Sequence, residues 1–221
     1  MSFFVSNVDG DLSLTTAGYA AVIILLVAAL AAAAFFAGRK KKSSGSMSSR
    51  QLVFCAAAVA LAMVTSMIKI YSFPFGGSVT LCSMLFICLT GYFYGPAAGI
   101  LTGAAYGILQ FIIEPYIYFP LQVLVDYPLA FGALGLSGFF ANTKHGLIKG
   151  YLLGILGRYF FAVISGWIFF GEYAWEGWHA LPYSLAYNGA YIFTEGVITV
   201  IILLIPAAAG AFRQVKELAN Q

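Results

Sequence analysis

The stretch YSLAYNGAYIFTEGVITVIILLIP, residues 183–206, decides the fold. It holds one charged side chain, Glu195. At about 1.5 Å per residue a helix of this length reaches roughly 36 Å, enough to cross the ~30 Å hydrocarbon core of a bilayer. Runs of the same kind occupy 15–37, 51–70, 79–94, 97–113, 120–141 and 150–170, so the sequence predicts seven spans. Between them lie short segments such as SFPFGGS at 72–78 and YGP at 94–96, with the Gly, Pro and Ser of chain reversals. Of 221 residues, 62% are hydrophobic and 9% charged, against roughly a quarter charged in a soluble domain. The composition excludes a soluble globular protein, and the fold class is all-α and polytopic.

The charges orient the spans. Arg39, Lys40, Lys41, Lys42, Arg50, Lys144, Lys149, Arg213 and Lys216 fall on one side if the first span leaves its N-terminus outside, which places nine of the eleven basic residues in the cytoplasm. Asp9, Asp11, Glu114, Glu172 and Glu176 then face outward. A formal charge of +3, so scattered, does not make a nucleic-acid surface. Cys55, Cys82 and Cys88 lie inside apolar runs without metal-ligand spacing and read as small core residues, so no metal site is predicted.

The first span stands apart, because the basic and Ser/Gly-rich stretch 38–49 has the composition of a flexible linker. Asp9 and Asp11 precede a long apolar core, which argues for a retained helix rather than a signal peptide with its basic leader. The predicted layout is an outer tail at 1–14, an additional span at 15–37, a cytoplasmic linker at 38–49, a six-helix domain at 50–212 and a cytoplasmic tail at 213–221.

In lipid, helices associate through small residues that let backbones approach. Gly99, Gly103 and Gly107 recur every fourth residue and read as packing within the bundle. Ala56 and Ala60, joined by Ala58 and Ala62, do the same, and that row suits either bundle packing or a docking surface for a partner protein. Ionisable groups inside spans mark functional sites by default. Three qualify: Asp126, Arg158 and Glu195. Arg158 and Glu195 fall at matching depth, roughly 12–14 Å above the inner surface, and read as a buried ion pair joining two helices. Asp126 lies roughly 10 Å below the outer surface without a cation at its level.

Around Asp126 converge Tyr127, Asn188, Tyr183, Tyr187, Phe169 and Phe170. A carboxylate among aromatic faces suits a flat organic cation. Trp175, Trp178 and His179 read instead as an interfacial aromatic belt. His145 and His179 lie on opposite sides of the membrane, and the sequence has no Walker-type glycine loop, so neither an enzyme nor a nucleotide-hydrolysing protein is predicted.

From Gln51 onwards the chain resembles the substrate-binding S components of energy-coupling factor (ECF) vitamin transporters, of the thiamine-specific ThiT/YuaJ type. The resemblance rests on FGGSVTL at 75–81, QVLVDYPLAF at 122–131, RYFFAVISGWIFF at 158–170, YAWEGW at 173–178 and YSLAYNG at 183–189. It implies a six-helix S component that captures thiamine outside the cell and acts with a transmembrane coupling protein and two cytoplasmic ATPases. It also implies a bacterial cell-membrane location and no cofactor of the chain's own, ATP being used by the partners. The family's pocket acid and following tyrosine correspond to Asp126 and Tyr127, and its other pocket residues to Tyr116, Tyr183 and Asn188. Ala162 stands where a histidine is common, Phe170 where a tryptophan is, and Asp126 is one methylene shorter than the usual glutamate. Ala56 and Ala60 match the family's docking motif. Alternatives left by these departures are an S component for a related heteroaromatic, such as a thiamine pyrimidine precursor, or a stand-alone membrane carrier.

Overall fold

The computed structural model describes residues 5–8, 11–17, 20, 24 and 47–220. A hairpin near the start pairs β1 (Val5–Val8) with β2 (Asp11–Leu14). Most of the additional span expected over 15–37, and of the linker after it, lies outside the described residues. Ser48 then opens α1 (Ser49–Ser66) with a capping box: its Oγ accepts from the Gln51 N–H at 3.2 Å, and Gln51 Oε1 accepts from the Ser48 N–H at 3.1 Å. Strands β3 (Lys69–Ser72) and β4 (Ser78–Thr80) form a second hairpin whose turn places Phe75 and Gly76 at positive φ. The bundle continues with α2 (Ser83–Tyr94), α3 (Pro96–Ile113), α4 (Pro120–Phe140), α5 (Gly146–Phe169) and α6 (Ala180–Leu204). A last helix, α7 (Pro206–Asn220), packs at the bundle's end, where the Tyr94 hydroxyl donates to the Ala219 carbonyl at 3.3 Å.

Among the described residues five helices, α1, α3, α4, α5 and α6, are long and apolar enough to cross a bilayer. Their outward faces carry apolar side chains at helical spacing, as Leu101, Ile108 and Ile112 do on α3 at 64%, 53% and 67% exposure. In water such stripes would be unfavourable; in lipid they are the solvated surface. The chain is therefore a multi-pass membrane protein. The sequence-based span 79–94 needs correction, since Val79 and Thr80 belong to β4 and the helix begins only at Ser83. At about 18 Å, α2 is too short to cross alone, and it sits almost wholly buried among its neighbours. Likewise 51–70 ends early, because Lys69 and Ile70 turn into β3.

At the centre, α4 packs against α2, α3 and α5. It is not a uniform helix. Residues Val125–Leu129 widen into a π-helical turn around Pro128, which has no N–H to continue the α-helical ladder, and Ala133–Phe140 tighten into a 3-10 segment. The glycine row of α3 packs against this helix as expected. A Cβ on Gly103 would strike the Phe131 carbonyl, one on Gly107 the Tyr127 carbonyl, and one on Gly99 the Gly135 Cα at 2.8 Å. The three cysteines are free and buried.

Gly103→Ala is expected to lower the melting temperature in detergent, with a cost of about 1–3 kcal/mol or more from overpacking. Gly210→Ala, where the added Cβ meets nothing within 4 Å, should leave it unchanged or raise it. Equal stability of Gly103→Ala and wild type would show that α3 and α4 do not need this close approach.

Candidate functional site

The ends of α1, α3 and α5 and the starts of α2, α4 and α6 meet around a cavity of about 450 Å³, with the β3–β4 hairpin at its rim. Every substrate-binding residue expected from the sequence lines it: Tyr116, Asp126, Tyr127, Ala162, Phe170, Tyr183 and Asn188.

The π-helical turn presents Asp126 and Tyr127 side by side. Gln122, one helical turn earlier, donates its Nε2 to Asp126 Oδ2 at 2.7 Å and to the Tyr116 carbonyl at 3.3 Å, while its Oε1 accepts from the Tyr118 N–H at 3.1 Å. The carboxylate is thus aimed by a buried amide rather than by a cation. Tyr127 closes the segment between α3 and α4: its hydroxyl donates to the Glu114 carbonyl at 2.9 Å and accepts from the Tyr116 N–H at 3.0 Å. Glu114 in turn accepts from Lys69 at 2.8 Å, which ties β3 to the end of α3.

Aromatic rings form the walls near the rim. Phe170 lies against Tyr116 and Tyr118 at centroid distances of 5.9 and 5.5 Å, and Phe75 from the hairpin meets Tyr173 at 4.6 Å. Tyr118 donates its hydroxyl to Glu172, and that hydrogen bond to the acid is the main reason its pKa is pushed up to about 12. Tyr183 stacks on Tyr187 at 5.7 Å. The Tyr187 hydroxyl donates to the Pro74 carbonyl and accepts from the Gly77 N–H, holding the tip of the β3–β4 hairpin to α6.

Asn188 joins α5 to α6. Its Nδ2 donates to the Ser184 carbonyl at 3.0 Å and the Ala162 carbonyl at 3.2 Å, and its Oδ1 accepts from the Tyr191 hydroxyl at 2.8 Å. The helices approach closely here because Gly166 faces Ser184, whose Oγ donates to the Val163 carbonyl at 2.8 Å.

The ion pair expected between Arg158 and Glu195 is not formed. Glu195 is 2% exposed and caps the start of α2 from across the bundle: it accepts from Thr80 N–H at 3.0 Å, Thr80 Oγ1 at 2.6 Å, Met84 N–H at 3.1 Å and Ser83 Oγ at 3.3 Å. Those donors fill the carboxylate; one of them, the Met84 N–H, is an orphan donor in the first turn of α2, and another, the Thr80 N–H, lies at the end of β4. The Arg158 guanidinium lies instead over the Phe131 ring, 4.3 Å from its centroid. Matching depth brought both residues to the same cavity but not to each other. Ala56 and Ala60 are exposed on α1, whereas Ala62 is buried.

Sequence reading missed Gln122 and the loop aromatics Phe75 and Tyr173 as cavity residues. Gln122 stands four residues before Asp126 in a predicted span, a spacing that puts both on one helical face. No comparable signal marked the loop rings.

The model of a family described as Thiamine transporter protein (Thia_YuaJ) matches residues 52–212. The chain is 38% identical over 165 residues to Thiamine transporter ThiT of Bacillus subtilis (strain 168), covering 68% of this chain and 84% of the relative. It is 30% identical over 118 residues to Thiamine transporter ThiT of Lacticaseibacillus paracasei, covering 46% of this chain and 59% of that one. The solved structure of ThiT from Listeria monocytogenes superposes with a TM-score of 0.60 at 29% identity, covering 72% of this chain and 96% of that one.

Glu195→Ala is expected to destabilise the protein by about 3 kcal/mol or more, because buried donors lose a charged acceptor. Adding Arg158→Met should change stability only by what that substitution does alone. A double-mutant cycle on thermal unfolding checks this, and recovery in the double variant beyond additivity would reinstate the direct pair.

Proposed function

The chain belongs to the thiamine transporter family, matched over residues 52–212, and on that premise we propose that it captures thiamine from outside the cell as the substrate-binding subunit of an ECF-type importer. The observation that carries the ligand reading is the Asp126 carboxylate inside an aromatic-walled cavity. Lys69 and Glu114 cancel at the rim, leaving Asp126 and Glu195 against Arg158, so the lining carries a net negative charge suited to an organic cation. The cation sits beside Asp126, with Tyr116, Phe170 and Tyr183 offering ring faces. Tyr127 and Asn188 brace the walls through the bonds described above, and Ala162 leaves the inner cavity open.

The importer reading assigns energy to partners. ATP is hydrolysed by two cytoplasmic ATPases joined through a coupling protein, and this chain needs no cofactor. The exposed small residues Ala56 and Ala60 supply the close-approach face on α1. The cavity faces outward and the C-terminus lies in the cytoplasm. This orientation is supported by Arg50, Lys144, Lys149 and Arg213, which flank the helix ends opposite the cavity. The domain at 50–212 carries both cavity and docking face.

Asp126→Ala is expected to weaken thiamine binding by about tenfold or more, since a charged hydrogen bond in a desolvated site contributes about 1.5–3 kcal/mol; unchanged affinity by calorimetry would overturn the assignment. Replacing Ala56 and Ala60 together by Trp should abolish cellular thiamine uptake while leaving the isolated subunit's affinity and stability intact. Joint loss of uptake, binding and stability would place the alanines in bundle packing instead. Mass spectrometry of the ligand retained on gentle purification is expected to show thiamine; a pyrimidine precursor in its place would change the substrate.

A further inference from the structure

We propose that Tyr191 is a specificity-determining residue: its hydroxyl oxygen accepts a hydrogen bond from an exocyclic amino group on the ligand's ring and turns away a carbonyl oxygen at the same position. This rests on the thiamine reading above and names the substituent of the pyrimidine ring that the α6 wall selects.

Tyr183, Tyr187 and Tyr191 follow at intervals of four along α6, a stripe that lines the cavity from its rim inward. Tyr191, the innermost, is held by its neighbours. Its ring lies 5.8 Å from Tyr187 edge-on and 6.3 Å from Phe73, and a Cβ on Gly77 would fall 2.8 Å from its Cδ1.

Proton counting decides what the hydroxyl can do. Asn188 Nδ2 has two N–H donors, which face the Ser184 carbonyl at 3.0 Å, Ser184 Oγ at 3.1 Å and the Ala162 carbonyl at 3.2 Å. The amide cannot turn over, because its oxygen would then meet two carbonyl oxygens. Oδ1 therefore faces Tyr191, and the tyrosine must donate to it, at 2.8 Å. A tyrosine has one proton to give. Among the described residues nothing donates to Tyr191 Oη in return, so toward the cavity it can only accept.

The rest of this wall is spent in the same sense. Ser184 gives its proton to the Val163 carbonyl, and Tyr187 gives its own to the Pro74 carbonyl. From Ser184 to Tyr191 the cavity side of α6 thus offers acceptors and no free side-chain donor, and Ala162, joined to it through Asn188, adds only a methyl group. An amino group brings the missing N–H donors. A carbonyl oxygen in its place would set lone pairs against lone pairs, so the mismatch discriminates as well as the match.

Calorimetry on the detergent-solubilised full chain tests this with three probes: thiamine, the analogue with hydrogen in place of the pyrimidine amino group, and the analogue with an oxo group there. Wild type should bind the deamino analogue about threefold to tenfold more weakly than thiamine, and the oxo analogue about fivefold or more weakly again. Tyr191→Phe should weaken thiamine by about threefold to tenfold, leave the deamino analogue nearly unchanged and lift the oxo analogue toward it. Tyr191→Met, which keeps apolar bulk without the oxygen, should give the same pattern and serves if the phenylalanine variant does not fold. A ratio of thiamine to deamino affinity that the folded variants leave unchanged marks a structural role and overturns the assignment. So does an oxo analogue that wild type binds as well as thiamine, or failure of both variants to fold. If wild type does not bind thiamine, the functional reading falls and this proposal with it; changes in discrimination with thiamine binding retained bear on Tyr191 alone.

Discussion

Lipid offers no hydrogen bonds, and every polar group that the chain carries into the bilayer must find its partner within the protein or in a cavity. Glu195 shows the constraint met in full, its carboxylate closing the exposed N–H groups where β4 gives way to α2. That arrangement lets α2 begin deep in the bundle, after a strand, without stranding its first donors. The space that a full-length second helix would have filled is where the cavity opens. One acid on the last long helix thus sets the depth of the site and the position of the hairpin at its rim.

The same constraint explains how Asp126 is held. A carboxylate paired with lysine or arginine would be neutralised before any cationic ligand arrived. Gln122 provides a neutral donor, so the carboxylate is oriented without an ion pair. Pro128 contributes through the backbone: it has no N–H to continue the α-helical ladder, and the widened turn around it carries Asp126 and Tyr127, both of which line the cavity. Gly107 lets α3 approach that turn at the Tyr127 carbonyl, so packing and binding geometry share residues.

Much of this was legible in the sequence. Apolar length predicted the long helices, and the four-residue glycine spacing predicted the seam between α3 and α4. An acid at depth among aromatics predicted the cavity. The β3–β4 hairpin was not legible, because Ile70, Tyr71 and Val79 are as apolar as span residues and merged into the flanking runs. Nor was the partner of Glu195. Counting residues gives depth but not azimuth, and it cannot foresee that a side chain will prefer backbone N–H groups to a guanidinium at the same level. Gln122 was overlooked because a lone amide in an apolar run carries no charge to mark it.

Phe170 has an optical consequence. The chain's three tryptophans, Trp167, Trp175 and Trp178, do not line the cavity, and Trp175 touches it only through Tyr183 at 5.1 Å. The rings that would face an electron-poor guest are tyrosines and phenylalanines. Any charge-transfer absorption on occupancy would therefore arise from phenol and benzene donors, at higher energy than an indole gives, and tryptophan emission would register occupancy only indirectly, through Tyr183.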